Sequence, residues 1–309
     1  MVVLQNMPKM SRMVGWIGAM IIVVILAAAT IAVVAIRDQE IEDWRLQMSN
    51  MSLILAEHTS QTIFSAYVVL DSVAEHVRLA KVTDQASFRA RLATPEMFRM
   101  LREQIRGLPQ VDVASIVAAN GDNINFSRAY PIPPINLAER DYFKAHLDKP
   151  GLGDFISQPV RNKGNGKWTF YISRRLNDGQ GQFLGLVLVG ISVEVFTNFY
   201  ERVARNLGEG ASISLFRDDL TLLTRWPHKD EVIGTVNRTG SAYDVIEVLK
   251  QDEGVVLRDT PRFSSGEREL RVAAVRKVEH YPLVMAIVAT DDLFLAGWRR
   301  SAWLIAGVS

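Results

Sequence analysis

The stretch that decides the fold is a short apolar run at residues 186–191, which reads LVLVGI. A similar run, LVMAIV, returns at residues 283–288, about 100 positions later. Apolar runs of this length that are bounded by turn residues are typical of buried β-strands. Each run also follows a basic strand-like segment, SRRL at 173–176 and VRKV at 275–278. Two matched pairs in the same order predict two copies of one lobe.

The segments around each pair repeat one order of elements. The first copy is predicted to hold a hairpin that turns at Asn120-Gly121-Asp122, a short helix, three strands and a closing helix: 111–118, 124–127, 138–147, 155–160, 168–176, 183–193 and 194–205. Asn and Gly accept the positive φ that such a turn requires. The second copy is shorter, with strands and one helix predicted at 212–216, 220–224, 242–250 (helix), 255–257, 270–278 and 283–289. The predicted fold class is α+β, with an antiparallel sheet in each of two lobes.

An uncharged segment, residues 14–36, precedes the lobes. Its 23 residues match a hydrocarbon core of about 30 Å when they are helical. Lys9 and Arg12 lie before it without an acid, whereas the flank 37–45 is net acidic. The positive-inside rule therefore predicts that residues 1–13 are cytoplasmic, that 14–36 cross the membrane, and that the main domain lies outside the cytoplasm. A cleaved signal peptide is the alternative, although its apolar core usually runs about 7–15 residues.

The segment after the membrane span predicts a long stalk helix at residues 37–80. Neither Gly nor Pro occurs between Ala19 and Thr94, and both residues break helices. Two apolar stripes follow the helical period: Ile41, Trp44, Met48, Met51 and Leu55, then Ile63, Tyr67, Leu70, Ala74 and Val77. We expect a homodimer through this stalk helix, with the first stripe as its seam. The alternative is that both stripes pack on the sheets of their own chain.

The C-terminal end, residues 298–309, predicts the incomplete start of a second membrane helix. Trp298-Arg299-Arg300 precedes nine uncharged residues, whereas a full crossing needs about 20. A tail that lies on the membrane or packs against the domain is the alternative.

Composition excludes several classes of function. Lys plus Arg (35) nearly balances Asp plus Glu (34), so no bulk positive field favours nucleic acid. The chain has no cysteine, which excludes thiol chemistry and thiolate metal ligands. Its five histidines show no spacing suited to a metal, and no Gly-rich segment follows the P-loop pattern. We therefore predict no metal, no cofactor, no nucleic-acid partner and no catalytic site in this chain.

A family resemblance rests on the run ERDYFKAH at 139–146, followed by ISQPV at 156–160, SRRL at 173–176 and GLVLVGIS at 185–192. Together with the membrane helix, the long helix and the duplicated lobes, these motifs resemble the double Cache (PDC-type, tandem PAS-like) sensor domains. Such domains occur in bacterial diguanylate cyclases, histidine kinases and chemoreceptors. The resemblance implies a membrane-distal lobe at 81–205 that binds a small metabolite and a membrane-proximal lobe at 206–297. It also implies that signals pass along the helices to a cytoplasmic output domain, which would lie beyond Ser309.

The members of the family that bind amino acids share a pattern that this sequence matches in part. Arg140 corresponds to the arginine that holds a carboxylate, and Tyr142 and Phe143 correspond to an aromatic pair. Ile135 lies near the place of an earlier tyrosine, and Ser192 stands where an ammonium-binding aspartate would be. The planar fork of arginine suits a carboxylate in either case, so an organic anion remains a candidate ligand.

Strand alternation adds further candidate site residues. Along 168–176 it places Thr169, Tyr171, Ser173 and Arg175 on one face. We expect the ligand on that face, although the solvent-facing side of a half-buried strand is an equal alternative. The predicted ligand-binding residues are Arg140, Tyr142, Phe143, His146, Gln158, Tyr171, Ser173 and Ser192. For Arg140 a structural salt bridge is the alternative, and for His146 an ordinary packing role.

These features predict an extracytoplasmic sensor for a small molecule, the input module of a transmembrane receptor of the diguanylate cyclase or histidine kinase type. The alternative is a membrane-anchored periplasmic binding or interaction protein that acts in trans, without an output domain of its own.

Overall fold

A single helix, α1 (Met7–Leu79), forms the axis of the molecule. The computed structural model describes residues 7–261 and 268–308. Residues 1–6 of the predicted cytoplasmic segment and Ser309 of the predicted C-terminal segment lie outside them. The 73 residues of α1 span about 110 Å at 1.5 Å per residue. Of the described helices, α1 alone is long and apolar enough to cross a membrane, and the side chains of its most apolar window are not buried in the protein.

Two short helices follow α1 and lead into the first lobe. They are α2 (Gln85–Leu92), which begins with a capping box between Asp84 and Ser87, and α3 (Pro95–Gln104), which Thr94 caps. The α2 helix was not anticipated, because its apolar content is low and only its cap distinguishes it from a loop.

The first lobe is a six-stranded antiparallel sheet in which β6 is central. Strand order is β2-β1-β6-β5-β3, and β4 also pairs with β5. The strands are β1 (Val111–Ala118), β2 (Asn123–Phe126), β3 (Phe155–Ile156), β4 (Val160–Arg161), β5 (Trp168–Asn177) and β6 (Phe183–Ser192). One face, with Phe170 and Ile172, packs against α1. The other face, with Tyr171 and Leu188, is covered by α4 (Asp141–Asp148) and its flanking loops.

The second lobe repeats this arrangement after α5 (Val193–Leu207). Strand order is β8-β7-β11-β10-β9, the same as in the first lobe with β9 in the place of β3. The strands are β7 (Ala211–Arg217), β8 (Leu222–Trp226), β9 (Glu253–Pro261), β10 (Arg268–Lys277) and β11 (Leu283–Thr290). The two quoted apolar runs lie in β6 and β11, the central strands of the two sheets. The predicted α+β fold with two antiparallel sheets is confirmed.

Two local predictions need correction. The helix expected at 242–250 is a three-residue turn, α6 (Ser241–Tyr243), that continues as a π-helical turn at Asp244–Val248. The strand expected at 155–160 is broken into β3 and β4, since Pro159 has no N–H to donate to a ladder. We call residues 155–161 the strap.

The stripe expected to form a dimer seam is buried in the chain itself. Ile41, Met48 and Leu55 are buried in the main core, and α1 packs there on β10 and β11. The assignment of this stripe as a seam is therefore wrong: its period reports packing on the chain's own sheets, which was the alternative.

The described chain ends in α7 (Asp291–Phe294) and α8 (Ala296–Val308). Helix α8 packs beside α1. The indole N–H of Trp298 donates to the carbonyl of Val33 at 2.9 Å, so α8 begins next to the C-terminal end of the apolar segment 14–36.

Candidate functional site

A cavity of about 30 Å³ lies in the first lobe, between the Tyr171 face of the sheet and the elements that cover it. Its apolar wall includes Val113, Ile135 and Leu188. Its polar wall is formed by Ser115, Asn123, Arg128, Arg140, Tyr142, Asn162, Lys163 and Tyr171. Three of the eight predicted site residues, Arg140, Tyr142 and Tyr171, thus meet at one cavity.

Arg140 occupies the N-cap position of α4, and its extended backbone turns the side chain along the cavity wall. Its Nη2 donates to the carbonyl of Arg161 at 3.1 Å, and its Nε lies 3.2 Å from the carboxylate of Glu139. In the described part of the chain, no hydrogen bond from its Nη1 is found. Since a guanidinium carries five N–H donors, Arg140 retains donors for a ligand.

The two tyrosines bring hydroxyl groups to the cavity from an apolar setting. Tyr142 is completely buried, and its ring lies 5.2 Å from that of Tyr171. Burial raises the pKa of Tyr171 to about 12 and that of Tyr142 well above its ordinary value. Both groups are therefore neutral donors at physiological pH. The Tyr142 hydroxyl has no hydrogen-bond partner among the described residues.

A polar network behind the cavity was missed at the level of sequence. Arg128 contacts the Asp112 carboxylate, and its Nη1 donates to Asn162 Oδ1 at 3.0 Å. Asp112 also accepts hydrogen bonds from Asn162, Asn165 and Thr169 at 3.0 to 3.2 Å. The available signal was Asp112 itself, the one charged residue of β1, because a largely buried charge is normally paired.

His146 and Ser173 pair with each other instead of lining the cavity. Both are completely buried, and His146 Nε2 lies 2.9 Å from Ser173 Oγ. The Ser173 hydroxyl also donates to the carbonyl of Phe155 at 3.2 Å. Burial lowers the pKa of His146, which favours its neutral form. The pair fastens α4 to β5 and β3.

The other three predicted site residues also lie off the cavity lining. The Phe143 ring packs edge-on against Phe183 at 5.8 Å. Gln158 is exposed and uses its backbone N–H, which donates to Asp141 at 2.7 Å. Ser192 takes the N-cap position of α5, opposite Thr169 in the sheet. Ligand contact by these three residues stays a prediction.

Metal ligands do not cluster in the described residues. No group of three or more His, Asp or Glu side chains is arranged to hold a metal ion within 7–261 and 268–308.

Comparisons with known proteins identify the class of domain. The sequence matches no known family model and none of the curated proteins. The structure is similar to the extracellular domain of a protein described as a histidine kinase, rpHK1S-Z16, with a TM-score of 0.68 and 29% identity over 84% of this chain and 99% of that one.

Two chemoreceptor domains share the fold at lower identity. The periplasmic sensory domain of Campylobacter jejuni Tlp1 gives a TM-score of 0.63 and 10% identity over 83% of this chain and 98% of that one. The ligand-binding domain of Pseudomonas fluorescens CtaA, solved with L-isoleucine, gives a TM-score of 0.56 and 14% identity over 84% of this chain and 98% of that one. The predicted double Cache sensor fold is thereby confirmed. The domain that is 29% identical is described as extracellular, and with the apolar end of α1 it indicates a membrane-anchored domain outside the cytoplasm.

Proposed function

We propose that this chain is the sensory input of an inner-membrane receptor and that its first-lobe cavity binds a small organic anion. The observation that carries the proposal is the convergence of Arg128, Arg140 and Lys163 on one cavity that also holds two neutral tyrosine hydroxyls. Among the described lining residues there is no acidic side chain. A carboxylate would meet charge-assisted donors there.

An organic acid suits this cavity better than an α-amino acid. The ammonium group of an amino acid needs a carboxylate acceptor. Asp112 already accepts from Arg128, Asn162, Asn165 and Thr169, and Glu139 already pairs with Arg140 and Lys163. CtaA was solved with L-isoleucine and the related chemoreceptor PctB with L-Gln. The ligand proposed here differs from both by lacking the ammonium group.

Binding is proposed to move the loops that close the cavity. The cavity of about 30 Å³ has room for a few water molecules, and a larger organic acid is proposed to shift Ile135 and the Lys163-Gly164 turn outward. A ligand that binds the shifted arrangement more tightly raises the population of that arrangement, and this change in population is the proposed signal. An output domain on the cytoplasmic side, of the histidine kinase or diguanylate cyclase type, would receive it. Action in trans as a membrane-anchored binding protein is the second candidate.

The proposed topology places residues 1–13 in the cytoplasm and 14–36 in the inner membrane. Residues 37–80 form the stalk, 81–205 the membrane-distal lobe and 206–297 the membrane-proximal lobe. Along α1, the first lobe packs farther from the apolar segment than the second, since Arg174 pairs with Asp71 whereas Arg276 reaches Ser52. The position of α8 beside Val33 supports residues 298–309 as the start of a second membrane helix.

A homodimer through α1 is proposed to use the face opposite the buried stripe. Leu46, Leu53, Phe64 and Val68 are exposed, and at about 100° per residue they fall on one side of the helix. Because the membrane anchor holds two copies in the same orientation, these faces would meet in parallel. We call these four residues the outer stripe.

Binding by the full chain in lipid nanodiscs tests the ligand proposal. The probes are acetate, pyruvate, succinate, glutarate and citrate, with L-isoleucine and L-glutamine as the amino-acid arm, and the readout is thermal shift followed by calorimetry. At least one carboxylate is expected to bind, and Arg140→Met is expected to weaken it about 30-fold, since hydrogen bonds to charged groups are worth about 1.5–3 kcal/mol.

The matched control is Arg89→Met, because Arg89 pairs with Asp122 on the surface of the same lobe, outside the cavity. It is expected to leave affinity unchanged. The anion proposal is wrong if no carboxylate binds, or if Arg140→Met binds as tightly as the unaltered protein.

A further inference from the structure

Arg217, at the end of β7 in the second lobe, contacts elements of the first lobe that lie beside its cavity. Its side chain is only 13% exposed, and its guanidinium forms an ion pair with the Asp219 carboxylate, to which Nε donates at 3.0 Å. Its Nη1 donates to the carbonyl of Ile156 in the strap at 3.2 Å. The same nitrogen lies 3.9 Å from the Asp141 carboxylate, and the guanidinium sits 5.7 Å from the centre of the Phe155 ring. Arg217 therefore touches both the strap and the start of α4.

Asp141 is the group through which this contact reaches the cavity. It lies between Arg140 and Tyr142, two residues of the cavity wall. One carboxylate oxygen accepts the Tyr142 N–H at 2.8 Å, and the other accepts the Gln158 N–H at 2.7 Å. Burial raises the pKa of Asp141, while these two hydrogen bonds and the charge of Arg217 oppose the rise. Asp141 thus ties the first turn of α4 to the strap, and Arg217 supports its ionised form.

A second contact joins the same strap to the second lobe. Asp230 accepts from Arg161 Nη2 at 2.6 Å and from the Trp168 indole at 2.7 Å. Arg161 in turn offers its carbonyl to Arg140. A cleft of about 280 Å³ lies beside these residues, between the lobes, and it leaves room for relative movement. Both contacts with the second lobe end on the strap, directly behind Arg140.

We propose that Arg217 is a positioning residue through which the second lobe sets the orientation of Arg140 and Tyr142 in the first-lobe cavity. The inference rests on the proposed function for the identity of the ligand, whereas the positioning itself is measurable without one. Linkage makes this coupling reciprocal. If the contact of Arg217 with the strap changes the affinity for a ligand by some factor, ligand binding changes the equilibrium of that contact by the same factor. The cavity and the second lobe then form one coupled unit.

Hydrogen exchange of the full chain in nanodiscs tests this without a ligand. In Arg217→Met, we expect about fivefold faster exchange of the Tyr142 and Gln158 amides and of the peptides that cover α4 and the strap. The reason is that the Asp141 carboxylate, which accepts from both amides, loses the positive charge beside it. Arg217→Lys keeps the charge beside Asp141 and is expected to restore part of the protection. The matched control is Arg258→Met, which removes an arginine paired with Asp244 at 2.8 Å within the second lobe.

A double-mutant cycle supplies the decisive readout. In an Asp141→Asn background, Arg217→Met is expected to add no further exchange in α4, since the charge that it supports is gone. The proposal is overturned if faster exchange stays within the second lobe, if the control variant reproduces it, or if the two substitutions are additive. Should Arg217→Met not fold, Arg217→Gln, which also removes the charge, carries the same cycle.

The two proposals fail separately. Suppose that carboxylate binding depends on Arg140, but that neither this binding nor the exchange of α4 changes in Arg217→Met. The positioning proposal alone would then be refuted. Coupled exchange with no carboxylate bound would refute the ligand alone.

Discussion

At the scale of single residues, the cavity depends on polar groups that the fold buries without a full set of partners. The Tyr142 hydroxyl is the sharpest case, because it is fully buried and no described residue bonds it. A buried donor without an acceptor costs about 1–3 kcal/mol of folding free energy. Such a cost is expected where a group is kept for a ligand.

Tyr142→Phe separates stability from binding. Removing the hydroxyl is expected to leave the free energy of unfolding unchanged or to raise it by about 1 kcal/mol, and to weaken the best carboxylate probe about tenfold. Chemical denaturation and calorimetry measure the two quantities. Tyr200→Phe is the control, since Tyr200 is equally buried but lies on α5, away from the cavity. A Tyr142→Phe protein that is destabilised and binds normally would contradict this reading.

His146 gives the first lobe a pH dependence whose sign follows from its burial. Because burial lowers the pKa of the folded His146, acidification below about 6.5 protonates the unfolded chain before the folded one, and stability falls. His146→Gln is expected to shrink the drop in Tm between about pH 7.5 and 5.5. His280→Gln, at an exposed position, is the control. An unchanged drop in His146→Gln would show that other groups carry it.

The sequence located part of the cavity by two routes. Arg140 and Tyr142 were predicted from the family resemblance of the run 139–146, and Tyr171 from the alternation of one strand. Arg128, Asp112 and Asn162 were missed, since they come from separate parts of the chain that only the tertiary fold brings together. His146 and Ser173 were predicted beside the ligand, yet they satisfy each other.

At the scale of elements, the central strand β6 sets how closely the cavity wall can pack. Gly190 lies near its C-terminal end, and a Cβ there would lie 2.8 Å from Val113 Cγ1 and 3.0 Å from Tyr171 Cε1. Glycine thus allows the Tyr171 ring to lie against the strand. Local alternation and turns predicted most strands, whereas α2 lacked a periodic apolar pattern and was not predicted. The helix predicted at 242–250 was found, but it is shorter and ends in a π-helical turn.

Gly190→Ala is expected to destabilise the protein by about 1–3 kcal/mol, because the added methyl group pushes Tyr171 or Val113 out of place. It should also lower carboxylate affinity, since Tyr171 lines the cavity. Gly153→Ala is the control, because its Cβ would meet nothing within 4 Å. Equal denaturation midpoints for the two variants would contradict the close packing.

At the scale of the whole molecule, α1 joins the lobes to the membrane, and its outer stripe is expected to join two copies. Cysteine cross-linking in membranes can report this cleanly, since the chain has no cysteine of its own. Leu53→Cys is expected to form a disulfide dimer under mild oxidation. Gln47→Cys, which is exposed but lies about 120° around the helix, is expected to stay monomeric. Dimers through Gln47→Cys alone would place the seam elsewhere.

The central claim is that α1 anchors two sensor lobes outside the inner membrane, and labelling of one added cysteine tests it most directly. Gln180→Cys lies in the exposed turn between β5 and β6. In intact spheroplasts, a membrane-impermeant maleimide is expected to label it fully, without lysis. Labelling that appears only after the inner membrane is broken would put the lobes in the cytoplasm and contradict the account.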